Sequence, residues 1–152
     1  MQKESTVPEL IVQPDQFLVS VTDVVLQARL DATFIVCIYD AVEEAGGLVH
    51  LRSSPPGRAP TMELTDTTLS SDLLLIDRCL ESLRNAMPRA QHWHSRFLAH
   101  AATSQHPLQA IREILADVLQ DAGVQTVSSQ VLDGAASTVR FRPFMGEITI
   151  TP

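Results

Sequence analysis

The sequence predicts an α+β protein, a single domain in which mixed β-sheets pack as layers with flanking helices. Strand-like segments fill the first third of the chain and its end, and segments with helical spacing lie between them. The length of 152 residues suits one compact domain, here taken as residues 1–152. A hydrophobic content of 45% and a mean hydropathy of +0.09 are typical of a folded chain.

Strands are predicted where β-branched and aromatic residues run between turn-forming residues. The clearest is Thr33–Tyr39 (TFIVCIY), which is apolar on both faces and is therefore expected at the centre of a sheet. Strand propensity and weak helical spacing are mixed in residues 17–30, where only Phe17–Val21 is assigned to a strand. The other predicted strands are Glu9–Val12, Leu48–Leu51, Val124–Ser128, Val139–Phe141 and Glu147–Thr151, the last two joined through Pro143–Gly146.

Two helices are predicted from apolar residues spaced three and four apart. The first runs from Thr68 to Arg84, and the second from Leu108 to Asp121, where Gly123 is well suited to follow its end. Residues 53–60 (SSPPGRAP) are expected to form an exposed loop because proline and glycine sustain neither a helix nor a strand ladder. Residues 89–106 carry no clear pattern.

The charge balance excludes several functional classes. Acidic residues outnumber basic ones by 18 to 11, which gives a net charge of −7 and argues against a partner that is a nucleic acid or an anionic membrane. No apolar run approaches the ~20 residues that span a bilayer. The first ten residues (MQKESTVPEL) contain no apolar signal core, so a cytoplasmic location without membrane insertion is expected.

Both cysteines, Cys37 and Cys79, lie in apolar segments. A disulfide is compatible with their number, but buried free thiols are favoured in a reducing cytosol. The chain has no Cys-x-x-Cys spacing that would indicate a zinc or redox motif.

One histidine, His50, lies in an apolar strand, and two interpretations of its role stay open. His50 can be a structural ring that is hydrogen-bonded to a backbone carbonyl. It can also be a base for a hydroxyl or thiol on the neighbouring strand. If residues 33–40 and 47–52 pair antiparallel, opposed side chains lie ~5 Å apart, and Thr33 or Cys37 is the candidate partner.

The stretch from Leu30 to His50 reads LDATFIVCIYDAVEEAGGLVH. Its Cys37-Ile38-Tyr39-Asp40, Gly46-Gly47-Leu48 and His50 resemble the signature of the CheD-type chemoreceptor glutamine deamidases, approximately L-G-S-C-V-A-V-C-L-Y-D-P, a short spacer and G-G-[ML]-x-H. Residues 64–83, 110–134 and 141–146 (FRPFMG) are similar to further family segments in the same order. The resemblance implies a CheD-like fold.

Members of that family deamidate, and in some cases de-esterify, glutamine-derived side chains on the cytoplasmic helices of chemotaxis receptors. They use a cysteine nucleophile with a histidine and an assisting threonine. Carried over by position, the histidine is His50, the nucleophile position is Thr33 and the assisting position is Gln27. Asp31-Ala32 replaces the Gly-Ser pair that precedes the nucleophile, so of these positions only the histidine is retained.

This replacement predicts a loss of catalysis. A thiol has a pKa of ~8.5, lower still beside a histidine, and so supplies a thiolate at neutral pH. A threonine hydroxyl has no such ionised fraction and needs a strong base and an oxyanion hole. The expected function is therefore that of a pseudo-deamidase without a cofactor. It would act by binding chemoreceptor cytoplasmic helices or a chemotaxis phosphatase-type protein.

Two other functions remain as alternatives. One is an active glutamine deamidase or amidohydrolase that uses Thr33 or Cys37 with His50. The other is a metal-binding regulator built on His92 and His94, with a third ligand from His100 or His106. The competing interpretation places these histidines on the surface of a poorly structured loop. By resemblance to the family's A-K-[IL]-F-G-G-A strand, taken at residues 90–96, Trp93 and His94 would also obstruct a substrate pocket.

Overall fold

The structure is a computed structural model that describes residues 7–31, 33–51, 62–100, 105–132 and 136–152, without the side chains of residues 62–70 and 105–111. The loop expected at residues 53–60 lies outside this part of the chain. The elements in order are β1 Glu9–Ile11, β2 Gln16–Ser20, β3 Val25–Leu30, β4 Phe34–Asp40, β5 Ala45–Leu51, α1 Met62–Ala86, β6 His94–His100, α2 Gln105–Asp121, β7 Gln125–Leu132, β8 Ser137–Arg142 and β9 Glu147–Thr151.

The strands form two mixed sheets, which confirms the α+β class. A four-stranded sheet has the order β1-β3-β8-β9, and a five-stranded sheet has the order β2-β5-β4-β6-β7. One pair in each sheet is parallel, β1 with β3 and β6 with β7, and the other pairs are antiparallel. The predicted central position of β4 is confirmed, since it pairs with β5 and β6 and all its residues are buried.

Alternating residues of β4 divide the interior into two apolar cores. Phe34, Val36 and Ile38 face the helices, in a helix-side core with Ile76 of α1 and Leu115 of α2. The alternate residues of β4, Ile35, Cys37 and Tyr39, face the four-stranded sheet. They form an inter-sheet core with residues of β3 and β8, which include Leu26, Ala28, Leu30, Val139 and Phe141. The protein is thus a stack of three layers, with the five-stranded sheet in the middle.

Most predicted elements are present with small shifts at their ends. The second helix ends at Asp121 as predicted, and Gly123 follows with φ +82°, the left-handed conformation that stops a helix. The first helix begins earlier than predicted, at Met62, and β5 begins earlier, at Ala45. No helix of the described residues combines the length and apolar character needed to cross a membrane.

Two strands were not predicted. β3 (VLQARL) includes alanine, glutamine and arginine, which have low strand propensity, and only its alternate apolar residues mark the buried face. β6 (HSRFLAH) occupies the part of the chain for which no structure was predicted. The expectation of a poorly structured loop there is wrong from His94 onward, because β6 pairs with β4 and β7 and lies inside the middle sheet.

Candidate functional site

Thr33 and His50 meet at the start of β4, on the side that faces the four-stranded sheet. The hydroxyl oxygen Oγ1 of Thr33 lies 2.8 Å from Nε2 of His50, within hydrogen-bond distance. The antiparallel pairing of β4 with β5 places His50 opposite Ile35, two residues from Thr33 and on the same face. The structure therefore brings together the two residues that the family signature assigns to the nucleophile position and the base.

The other ring nitrogen of His50 determines how this pair is protonated. Nδ1 lies 3.0 Å from the carbonyl oxygen of Val12. A carbonyl oxygen only accepts hydrogen bonds, so the proton of the neutral ring is on Nδ1 and Nε2 carries the lone pair. Nε2 thus accepts the hydroxyl proton of Thr33, the direction that a general base requires. The geometry is compatible with both interpretations of His50, since Nδ1 meets a backbone carbonyl and Nε2 meets a hydroxyl.

The backbone between β1 and β2 holds the histidine in place. The Val12 amide donates to the Gln27 carbonyl at 2.8 Å, and the Asp15 amide donates to the His50 carbonyl at 2.8 Å. The first bond joins this segment to β3, and the second joins it to β5. Since Val12 itself is buried, its carbonyl is a fixed acceptor. This contribution could not be predicted from the sequence, because a carbonyl at the end of a short strand leaves no residue signature.

Gln27, the third predicted site residue, contributes through its backbone. Its neighbours Leu26 and Ala28 are fully buried in the inter-sheet core. Strand alternation therefore points the Gln27 side chain to the outer face of the four-stranded sheet, away from Thr33. The structure unites Thr33 with His50 and sets the side chain of Gln27 apart from them.

The pair is almost closed to solvent. Thr33 is 9% exposed and His50 is 1% exposed, whereas Asp31, two residues before Thr33, is exposed. A ligand group that reaches the hydroxyl must therefore enter a narrow space. Asp31 carries a negative charge two residues before Thr33, and such a charge near the hydroxyl would disfavour a developing oxyanion.

Both cysteines are free and buried, as predicted. Cys37 is fully buried in the inter-sheet core, and burial raises the pKa of its thiol far above the ordinary range. Its partner on β5 is Leu48, while His50 is opposite Ile35. Burial also raises the pKa of Cys79, to about 12. Neither sulfur has the properties of an activated nucleophile.

Of the four histidines considered as metal ligands, His94 and His100 lie on β6. His92 is exposed and precedes the strand, whereas the ring of His94 stacks on Tyr39 with 5.8 Å between centroids. His94 and His100 begin and end β6, so at ~3.3 Å per residue they are roughly 20 Å apart and cannot share an ion. The side chain of His106 is not described. Within the described residues, no three His, Cys, Asp or Glu side chains group as metal ligands.

The expected obstruction by Trp93 and His94 is wrong in its location. β6 runs antiparallel to β4 and pairs His94 with Tyr39, at the end of β4 opposite to Thr33. Trp93 packs in the helix-side core.

The remaining signature residues have structural roles. A Cβ on Gly46 would clash with the carbonyl oxygen of Ile38 and lie 2.9 Å from Cβ of Pro143, across the inter-sheet core. A Cβ on Gly47 would lie 3.1 Å from Sγ of Cys79, on the helix side. The buried carboxylate of Asp40 accepts backbone hydrogen bonds at 2.9 Å from Val42 and 2.9 Å from His92. These residues hold the layers around the β4–β5 hairpin.

Comparison with models of known protein families gives no match for this chain, and comparison with curated proteins gives none either. The resemblance to the CheD-type family is carried by the sequence motifs, above all those between Leu30 and His50.

Proposed function

We propose that this protein is a CheD-like pseudo-deamidase that acts by binding. Its partner would be a helical cytoplasmic segment of a chemoreceptor or a chemotaxis phosphatase-type protein, met in the cytoplasm. The proposal depends on one observation, the 2.8 Å contact between Thr33 Oγ1 and His50 Nε2. This contact supports a CheD-like arrangement in which the hydroxyl of Thr33, a secondary alcohol, occupies the position of the nucleophilic sulfur.

The chemistry of the Thr33–His50 pair supports a protein without catalytic activity. For the hydroxyl to attack, its proton must pass to Nε2 and leave an imidazolium inside the protein. The acceptor that Nδ1 meets is the uncharged carbonyl of Val12, whereas triads of this type orient and stabilise the imidazolium with a carboxylate. A thiol reduces the same cost because a stable thiolate forms beside the imidazolium.

The net charge of the chain suits a partner with basic groups. The chain carries a net charge of −7, and Asp31, which is exposed and lies two residues before Thr33, is one of its acids. Complementary charge at the rim of an interface increases association rate and specificity. We therefore place the binding face at the Thr33 end of the sheets, with Asp31 at its edge.

Binding is tested with the full chain and a helical cytoplasmic fragment of a chemoreceptor that contains glutamine at its modification sites. A chemotaxis phosphatase-type protein forms a second arm. We expect association that Asp31→Lys weakens about tenfold. The matched charge reversal Asp117→Lys, on the exposed face of α2, should change affinity by less than about twofold. If neither partner binds, or both variants weaken binding equally, the proposal is overturned.

A second candidate function is an active amidohydrolase with Thr33 as nucleophile. The observation that favours it is the direction of the hydrogen bond, from the hydroxyl to a ring nitrogen with a free lone pair. In this reaction water converts a glutamine amide to a carboxylate and releases ammonia. Mass spectrometry of the receptor fragment separates the two functions. Conversion that disappears in both Thr33→Ala and His50→Ala would replace the pseudo-deamidase by this enzyme.

A further inference from the structure

A second buried histidine lies beside Thr33. It belongs to β6, which pairs with β4 on the side away from β5, the strand that carries His50. β6 pairs with β4 so that Ala99 is opposite Phe34 and Leu98 is opposite Ile35. Continuing this register by one residue places His100 next to Thr33. His100 is 5% exposed and is the last residue of β6.

Strand alternation gives the direction of the His100 side chain. Phe97 and Ala99 belong to the helix-side core, and Leu98 belongs to the inter-sheet core. His100 therefore points toward the four-stranded sheet, as Thr33 and His50 do. Thr33 thus lies between two histidines on the same face of the sheet, His50 of β5, which is hydrogen-bonded to its hydroxyl, and His100 of β6, which is its neighbour by register.

We propose that His100 is a specificity-determining residue that blocks the approach of a ligand's carboxamide to the side chain at position 33. The inference rests on the proposed function, because it identifies a second reason why a glutamine side chain is not processed. An imidazole fills the space on the β6 side of Oγ1 that a small residue would leave open. The low exposure of Thr33, 9%, agrees with this closure.

Access to position 33 is measured by placing a thiol there. In Thr33→Cys, iodoacetamide reports the approach of a small carboxamide, since the thiolate forms an S–C bond and iodide leaves. Peptide mass mapping separates this thiol from Cys37 and Cys79. We expect that adding His100→Ala raises the alkylation rate at least about tenfold. Rates are compared on the high-pH plateau, where the thiol is ionised in every variant, so that altered thiol acidity is not mistaken for access.

His94→Ala is the matched control because it removes the same ring from the same face of β6, at the far end. It should leave the alkylation rate in Thr33→Cys within about twofold. His100→Asn, a smaller polar replacement, is the second variant should His100→Ala fail to fold by circular dichroism, and it should give an intermediate rate. A plateau rate that stays the same or falls in the folded His100 variants overturns the inference. The assay uses no receptor, so its failure is distinct from a failure of receptor binding.

Discussion

The carbonyl oxygen of Val12 lies 3.0 Å from Nδ1 of His50. This contact joins the segment after β1 to the β4–β5 hairpin and leaves Nε2 of the ring as an acceptor toward Thr33. Both nitrogens are used inside the protein, where an unmatched polar group would be costly. The ring therefore has one orientation and, when neutral, one tautomer, although its partner is an alcohol.

The tautomer of His50 is the first prediction. At a pH where the ring is neutral, nitrogen chemical shifts from NMR should show its proton on Nδ1 and an unprotonated Nε2, because Val12 offers an acceptor and Thr33 offers a donor. Thr33→Val should keep the proton on Nδ1, since the carbonyl contact is unchanged. A proton found on Nε2 of the wild-type ring would contradict the direction of the hydrogen bond.

The Thr33–His50 contact should also be visible as a coupling energy. Thr33→Val and His50→Phe each leave a buried polar group unmatched, and we expect each to lower the free energy of unfolding by about 1–3 kcal/mol. The double variant should be less destabilised than the sum of the singles, with a coupling of about 1 kcal/mol. Urea denaturation of the four proteins gives the cycle. Additivity within about 0.3 kcal/mol would mean that the contact adds no stability.

The native protein should be inert to thiol reagents. Burial raises the pKa of Cys37, and it raises the pKa of Cys79 to about 12, so neither forms a thiolate near pH 8. We expect negligible reaction with a disulfide reagent under native conditions and two reacting thiols after denaturation. Rapid native labelling of Cys37, lost in His50→Ala, would instead identify it as the partner of the histidine.

The hairpin carries the part of the site that the sequence could predict. The β-branched and aromatic run of β4 and the glycine pair before Leu48 identify two antiparallel neighbours, and pairing then brings His50 toward Thr33. The position of Gln27 could not be judged in the same way. β3 was not recognised as a strand, so the face on which this side chain lies was unknown.

The second histidine shows a different limit. His100 ends a strand whose first residues, His94, Ser95 and Arg96, are polar or charged, so neither alternation nor propensity marks it as buried. Its place beside Thr33 results from long-range pairing with β4, which one sequence does not reveal. Sequence analysis grouped His100 with His94 by proximity along the chain, and an extended strand separates the two.

The close approach of layers at the glycine pair gives the fourth prediction. Gly46→Ala should lower the free energy of unfolding by about 1–3 kcal/mol, because the new methyl group meets the Ile38 backbone and Pro143 and the backbone must shift. Thr149→Ala, on the exposed surface of β9, should change stability by less than about 0.5 kcal/mol. Chemical denaturation measures both. An equal effect of the two substitutions would show that the sheets can separate at Gly46 without cost.

The ion pair between Asp23 and Arg142 gives the last prediction, a dependence of stability on pH. Nε and Nη2 of Arg142 donate to the two carboxylate oxygens of Asp23 at 2.8 Å and 2.6 Å, which ties the residues before β3 to the end of β8. The hydrogen bond from Arg142 lowers the pKa of Asp23 below its ordinary value of 3.8.

A lowered carboxyl pKa stabilises the fold above the pKa of the unfolded chain, and the effect is lost as the pH falls through the folded value. Asp23→Asn should therefore lower the melting temperature at pH 7, and the difference from wild type should shrink as the pH falls below the ordinary carboxyl pKa of 3.8. Glu9→Gln is the matched control, because Glu9 meets Arg140 through a single contact at 3.1 Å. Its effect at neutral pH should be smaller, since a single exposed contact adds less than a two-point pair. If the difference in melting temperature between Asp23→Asn and wild type stays constant down to low pH, the carboxylate of Asp23 is not the source of the added stability.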